Sequence, residues 1–218
     1  MGERCNNGIK ELKLKPSSSD TNIIWTKHET NATYIGQNPT VMDPYEKKSI
    51  YVDQSEITIA EDGLFAKRIF SPGDLISFYS GQKTFIRNIV QTNMKHEQAV
   101  IATAYNVGLG RFAPAHWGYP TDLIIDIGLE YRNMAHFRTT LAHKANHKFG
   151  DKNAFYDVVD HPVVGGIACI VTGEEIDIGE EIVVDYNYDL EQGVSDWYSD
   201  ALNEFVMDSA LREIYPDL

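Results

Sequence analysis

The sequence predicts a mainly β domain built of small sheets, and three observations point to it. Short runs rich in β-branched residues recur along the chain, such as Ile50, Val52, Ile57 and Ile59. Asp-Gly and Pro-Gly pairs, at Asp62-Gly63 and Pro72-Gly73, punctuate them as tight turns do. Helical spacing of apolar residues is confined mainly to the C-terminal stretch.

Taken in order, residues 1 to about 20 are polar and Ser-rich (Pro16-Ser17-Ser18-Ser19-Asp20) and predict a flexible lead-in. Ile23 to Tyr34 predicts short β-like pieces closed by a turn at Asn38-Pro39, and Asp43-Pro44-Tyr45-Glu46 is a second break. Ser49 to Ile59 predicts a strand, and Glu61-Asp62-Gly63-Leu64-Phe65 a turn into another. Ser71-Pro72-Gly73-Asp74 turns the chain into a third strand at Leu75 to Tyr79. Residues 82 to 121 are less regular, because Gly108, Gly110, Pro114, Gly118 and Pro120 interrupt the aromatics. Strands are expected at Leu123 to Ile127, Val163 to Val171 and Ile182 to Tyr186, and a short helix at Tyr131 to Ala145. In Ser195 to Ile214, Trp197, Leu202, Phe205, Val206 and Leu211 predict an amphipathic C-terminal helix.

Composition narrows the functional classes. The chain has 218 residues and 43% apolar content, enough for one core of ordinary size. A net charge of −13 argues against direct binding to a nucleic-acid backbone, which needs Lys and Arg to displace counterions. Cys5 and Cys169 are too few for a disulfide framework or a zinc cluster. His28, His96, His116, His136, His143 and His161 lack metal-ligand spacing and read as surface or structural, so no metal is expected. No apolar run reaches the roughly 18 residues of a membrane span, and the first residues lack a signal core. An intracellular protein, cytoplasmic, nuclear or both, is expected. Neither a Gly-x-Ser-x-Gly elbow nor a Walker or dinucleotide fingerprint is present.

Two motifs carry the chemistry. Asn146-His147 is followed, forty positions from Asn146 to Tyr186, by Glu180-Glu181-Ile182-Val183-Val184-Asp185-Tyr186-Asn187-Tyr188. Together they resemble the signature motifs of SET-domain methyltransferases. Asp43-Pro44-Tyr45-Glu46, Gly63-Leu64-Phe65, Ser77-Phe78-Tyr79, His143-Lys144-Ala145-Asn146-His147, Tyr156-Asp157, His161-Pro162 and Trp197-Tyr198 extend the resemblance. It is to the branch of animal lysine monomethyltransferases whose catalytic domain follows MORN repeats, which residues 1 to 42 are too few to hold.

The resemblance implies a mainly β SET fold: small curled sheets, a pseudoknot-like C-terminal threading and a C-terminal helix. It implies a flanking segment at 1–48, a catalytic domain at 49–190, and a helix at 191–218 completing the cofactor site. S-adenosylmethionine is the implied cofactor. Glu61, Asp62, Gly63 and Leu64 would present backbone to it, Asn146 and His147 would hold it beside Tyr186, and Trp197 would cover its adenine. Gly63 suits close approach of backbone to a ligand. Tyr79, Tyr156, Tyr186 and Tyr188 would be the catalytic tyrosines lining the acceptor channel, tight enough for one methyl. Lys144 reads as structural, and Glu174-Glu175 and Glu180-Glu181 as solvated turn surface.

The acceptor stays open between two classes. Protein lysine, histone or non-histone, is what the family implies. Tyr105, Phe112, Trp117 and Tyr119 of the long segment before Asn146 would make an apolar acceptor wall that suits a small aromatic molecule, or they fill a small core. Ala168 stands where a basic peptide-groove residue of the family branch aligns. A lysine ammonium and a phenol both titrate at about 10, so O-methylation of a phenol uses the same machinery. A third reading is a catalytically inactive SET binding module. The sequence leaves the oligomeric state undetermined.

Overall fold

The computed structural model describes residues 12–14, 23–25, 40–57, 60–90, 95, 98–99, 105–128, 131–161, 165–188 and 196–214. Two short strands, β1 (Leu12–Leu14) and β2 (Ile23–Trp25), pair antiparallel, which corrects the flexible lead-in at Leu12–Leu14; the remaining expectations for residues 1 to 39 lie outside the described residues. Asp43-Pro44 proves to be a helix start. The Asp43 carboxylate accepts the Tyr45 N–H at 2.9 Å and the Glu46 N–H at 3.3 Å, and Pro44 fixes the first position of α1 (Pro44–Ser49).

The chain then runs β3 (Ile50–Gln54), β4 (Asp62–Ala66), β5 (Leu75–Phe78), β6 (Gln82–Phe85) and α2 (Ile86–Ile89). Next come β7 (Asn106–Val107), α3 (Leu109–Phe112), a 3₁₀ turn at Ala115–Trp117 and β8 (Leu123–Asp126). A second 3₁₀ turn at Ala142–Lys144 leads into β9 (Asn146–His147), β10 (Ala154–His161), β11 (Gly165–Thr172), β12 (Glu181–Val184) and α4 (Asp196–Ile214). The molecule is mainly β with small sheets and a C-terminal helix, as the punctuation predicts.

Three small sheets follow from these strands, in the orders β3-β4-β12-β9, β10-β11-β5 and β6-β8-β7. The parallel pairing of β12 with β9 sets Val183 beside Asn146 and Val184 beside His147. One apolar core joins the sheets through fully buried Ile50, Leu64, Phe70, Ile76, Phe137, Leu141, Ile170 and Ile182. Burial of such side chains contributes about 1.5–3 kcal/mol each.

A buried carboxylate connects two of the segments that meet at this core. Glu46, on α1, accepts Ser77 Oγ–H at 2.8 Å and the Phe78 N–H at 3.1 Å with one oxygen. Its other oxygen accepts the Leu141 N–H at 2.7 Å. Burial pushes its carboxyl well above the ordinary range, against the pull of these donors.

Several expectations are corrected. Tyr131 to Ala145 is not a helix but turns ending in 3₁₀ geometry. Its backbone groups are engaged at long range: the Leu141 N–H binds Glu46, and Thr139 C=O accepts the Asp43 N–H at 2.8 Å. Of the strand expected through Ser49 to Ile59, the described residues 49 to 57 hold β3 alone; Ser49 closes α1, and Ser55 to Ile57 bend away to a carboxylate on β12. β6 and β10 were not anticipated, and Asp157 and Asp160 break the apolar pattern of β10. The helix α4 forms, but among its described side chains, 196 to 207, no single apolar face is buried. Tyr198 is buried, whereas Val206 and Met207 are 54% and 65% exposed, because the apolar positions spread around the cylinder.

Candidate active site

Two groups of aromatic rings meet at Tyr186. The first surrounds His147: Phe149 lies edge-on at 4.1 Å between centroids, Tyr198 at 4.8 Å, Tyr186 at 5.3 Å and Trp197 at 6.2 Å. The Tyr186 N–H donates to His147 Nδ1 at 3.0 Å, so that nitrogen carries no proton. Burial lowers the His147 pKa, and the ring is neutral near pH 7. His147 Nε2 is buried with no hydrogen-bond partner among the described residues.

The second group holds Tyr79, Tyr156, Tyr186 and Tyr188. Tyr79 is buried at the end of β5, its N–H donating to Ala168 C=O at 2.8 Å. Its ring stands edge-on to Tyr156 at 6.3 Å, and Tyr186 meets Tyr188 at 5.5 Å. The Tyr186 hydroxyl donates to Ala145 C=O at 3.0 Å. Burial first raises all four phenols; proximity to the others of the group adds to it for Tyr79, Tyr156 and Tyr186, and proximity to Tyr198 and Tyr105 for Tyr188, which reaches about 12.

Beside the first group, Asn146 is held in a polar knot. Its Nδ2 donates toward Asp62 C=O at 2.8 Å, Ser55 Oγ at 3.0 Å and Glu181 Oε1 at 3.0 Å. Glu181 also accepts Ser55 Oγ–H at 2.7 Å and the Glu56 N–H at 2.8 Å. It is buried, which corrects its reading as solvated turn surface, while Glu174, Glu175 and Glu180 are exposed. Lys144 pairs with Asp62 at 2.9 Å, beside exposed Glu61. Gly63 and Leu64 are buried in β4 just behind that turn.

The remaining predicted positions lie on or under the long segment before Asn146. Phe112 tilts onto Tyr156 at 5.7 Å, and Trp117 stands edge-on to Tyr119 at 5.9 Å. Arg132 lies over the Tyr105 ring at 4.7 Å. All four aromatics pack against the main core, and Tyr119 Oη accepts the Gly166 N–H at 2.9 Å. Ala168 is fully buried and so does not face an open groove. His143 is buried, a structural histidine, and burial lowers its pKa to about 3; His116 and His136 are exposed. Phe149 and Ser55 join the site although no motif contains them, and Tyr198 and Glu181, which stand in the motifs, gain their roles only here.

No protein-family model matches the chain. It is 28% identical over 181 residues, 80% of its length, to histone-lysine N-methyltransferase SETD7 of Halocynthia roretzi. That stretch covers 42% of the relative, so the chain spans less than half the length of the curated protein it matches. Among solved structures it is similar to Chaetomium thermophilum Polycomb Repressive Complex 2 bound to GSK126, at 15% identity and TM-score 0.46, over 72% of this chain and 17% of that one. KRYPTONITE in complex with mCHH DNA, an H3(1–15) peptide and SAH is similar at 14% identity and TM-score 0.40, over 65% and 24%. Among the described residues no helix is long and apolar enough to cross a membrane.

Proposed function

We propose that the chain is a SET-domain methyltransferase that moves one methyl group from S-adenosylmethionine to a lysine side chain of a protein. The observation that supports this most is the double membership of Tyr186. Its N–H is fixed by His147 on one side and its hydroxyl by Ala145 on the other, so one residue joins a candidate cofactor side to a tyrosine-lined acceptor side. On this reading residues 49–190 carry the transfer, 191–218 complete the cofactor side, and 1–48 flank them.

The residues fit such a cofactor. His147 Nε2 is an orphaned buried polar atom beside the 39%-exposed indole of Trp197, a pairing suited to a heteroaromatic base. The exposed carboxylate of Glu61 suits the ammonium of a zwitterionic amino-acid end, while that of Asp62 is engaged by Lys144 at 2.9 Å. Bound there, S-adenosylmethionine supplies a methyl group on a positively charged sulfur. Asn146, His147, Trp197 and the backbone of Glu61 to Leu64 would hold it. Tyr79, Tyr156, Tyr186 and Tyr188 exclude water and orient the acceptor's lone pair. All four are phenols held protonated, so none is a general base at neutral pH.

The sign of the pH dependence follows. An amine or phenol acceptor must shed its proton before attack, and kcat/KM rises about tenfold per pH unit while the acceptor stays below its pKa of ~10. The tyrosines, raised rather than lowered, produce no falling limb before pH 10. A profile from pH 6.5 to 9.5 that is flat would mean that a base within the protein takes the proton.

A second reading, O-methylation of a small phenol, is favoured by one observation. Phe112, Trp117 and Tyr119 pack inward over β10 and β11, Tyr119 caps the Gly166 N–H, and Ala168 is buried rather than open to a peptide. The deciding experiment incubates the protein and methyl-labelled S-adenosylmethionine with a cell extract and separates precipitated protein from solvent-extractable material. Label on lysine in the pellet supports the first reading. Label confined to the organic phase overturns it in favour of the second, and Trp117→Ala or Phe112→Ala then lowers turnover roughly tenfold. Cofactor binding with no label in either fraction leaves the binding module.

A further inference from the structure

We infer that the Glu181 carboxylate is a positioning residue for the cofactor: it ties the 55–62 loop to Asn146 and so sets the shape of the proposed S-adenosylmethionine site. The inference rests on the reading of that site given above.

Glu181 opens β12 and points across the ladder at β4, where Gly63 stands. A Cβ at Gly63 would meet Glu181 Oε1 at 2.3 Å, far inside contact distance. Any side chain at Gly63 therefore has to push the Glu181 carboxylate out of its place. Three donors from two distant segments converge on this group: Ser55 Oγ–H at 2.7 Å, the Glu56 N–H at 2.8 Å and Asn146 Nδ2–H at 3.0 Å. Asn146 Nδ2 has two hydrogens and three acceptors within reach, so its orientation is fixed by the set rather than by one bond. The Asp62 carbonyl in that set belongs to the turn that would present backbone to the cofactor.

The carboxylate does here what a neutral group cannot. Ser55, Glu56 and Asn146 all present N–H or O–H groups, and an acceptor-only side chain satisfies every one. An amide in its place would turn its own N–H₂ toward at least one of these donors. The loop would then lose a tie, and Asn146 would lose its fixed orientation. Glu181→Gln also removes one negative charge, whereas Ser55→Ala cuts a tie to the same carboxylate and leaves the charge in place, so a loss shared by both variants is one of preorganisation.

The test measures S-adenosylmethionine binding by calorimetry and thermal melting on wild type, Glu181→Gln, Gly63→Ala, Gly63→Ala/Glu181→Asp, Ser55→Ala and exposed Glu175→Gln. Glu181→Gln keeps the shape; Kd is expected to rise at least tenfold and KM for the cofactor with it, while kcat at saturation stays within about threefold. Gly63→Ala should weaken binding similarly by displacing the carboxylate. The shorter Glu181→Asp should recover part of that loss, a non-additive coupling that independent sites do not show. Ser55→Ala, outside the core, gives a smaller loss in the same direction even if Glu181→Gln folds poorly. Glu175→Gln should match wild type. Equal Kd for wild type, Glu181→Gln and Ser55→Ala overturns the inference and leaves the site reading standing. A wild type that melts normally yet binds no S-adenosylmethionine overturns the site reading and the inference together.

Discussion

Glu46→Ala is expected to lower the melting temperature by roughly 8–16 °C. The variant removes the shared acceptor of the buried Phe78 and Leu141 N–H groups and of Ser77 Oγ–H, leaving Leu141 the longer contact to Ser77 Oγ at 3.2 Å and Ser77 Oγ–H that to Phe78 C=O at 3.4 Å. Each unsatisfied buried donor costs about 1–3 kcal/mol, and the truncated side chain leaves a void as well. A total near 4 kcal/mol corresponds to that shift for a domain of this length. The damage is directional. Phe78 precedes Tyr79, and Leu141 lies five residues before Asn146, so both halves of the candidate site lean on one carboxylate. Differential scanning calorimetry measures the effect, and a shift under 3 °C would mean that water replaces the lost acceptor.

Glu46→Gln separates the charge from the packing. Burial raises the Glu46 carboxyl above its unfolded value of 4.5, so the folded state prefers the proton. A raised pKa contributes stability that is fully present below the unfolded value and is lost as pH rises through the folded one. The advantage of wild type over Glu46→Gln should therefore be largest near pH 4.5 and shrink toward neutrality. An advantage that grows with pH would mean that the three donors outweigh burial and hold Glu46 ionised.

The sequence made some of this legible and not the rest, for physical reasons. Turn chemistry and β-branched runs gave most strands, because those signals are local. β10 stayed hidden because Asp157 and Asp160 disguise a strand whose Val158 and Val159 are both buried. Tyr131 to Ala145 carried enough apolar spacing to suggest a helix, yet Glu46 and Asp43, distant in sequence, claim its backbone. In the site, Asn146, His147, Tyr186 and Tyr188 follow from motif order, and ring contacts bring His147, Tyr186 and Tyr188 together with Trp197, and Tyr79 together with Tyr156. Phe149 is named by no motif, and Tyr198 only as the neighbour of Trp197 with no role, since a ring against His147 has no signature before the chain folds. Glu181 was misread because charged pairs in turns are mostly solvated. Only the convergence of Ser55, Glu56 and Asn146 reveals what buries it.

Tyr186→Phe is expected to reduce kcat by at least a hundredfold while changing cofactor Kd no more than about threefold. The ring remains, so its contacts with His147, Tyr188 and Trp197 are kept, and the backbone N–H still donates to His147 Nδ1. Only the hydroxyl goes. That hydroxyl spends its proton on Ala145 C=O, which leaves its oxygen lone pairs free to accept from an acceptor's N–H or O–H. A pKa raised well above 10 keeps it a phenol and stops it from becoming a competing nucleophile. Its work is therefore alignment, and losing the alignment of one reacting atom costs on the order of 10²-fold. Two measurements on the same preparation decide the matter: calorimetric Kd for S-adenosylmethionine, and single-turnover transfer to whichever acceptor is labelled. A fall in kcat with Kd preserved assigns Tyr186 to the acceptor side. Equal turnover would reduce the Tyr186 hydroxyl to a clip for Ala145, and a matched loss of both would make it part of the cofactor wall.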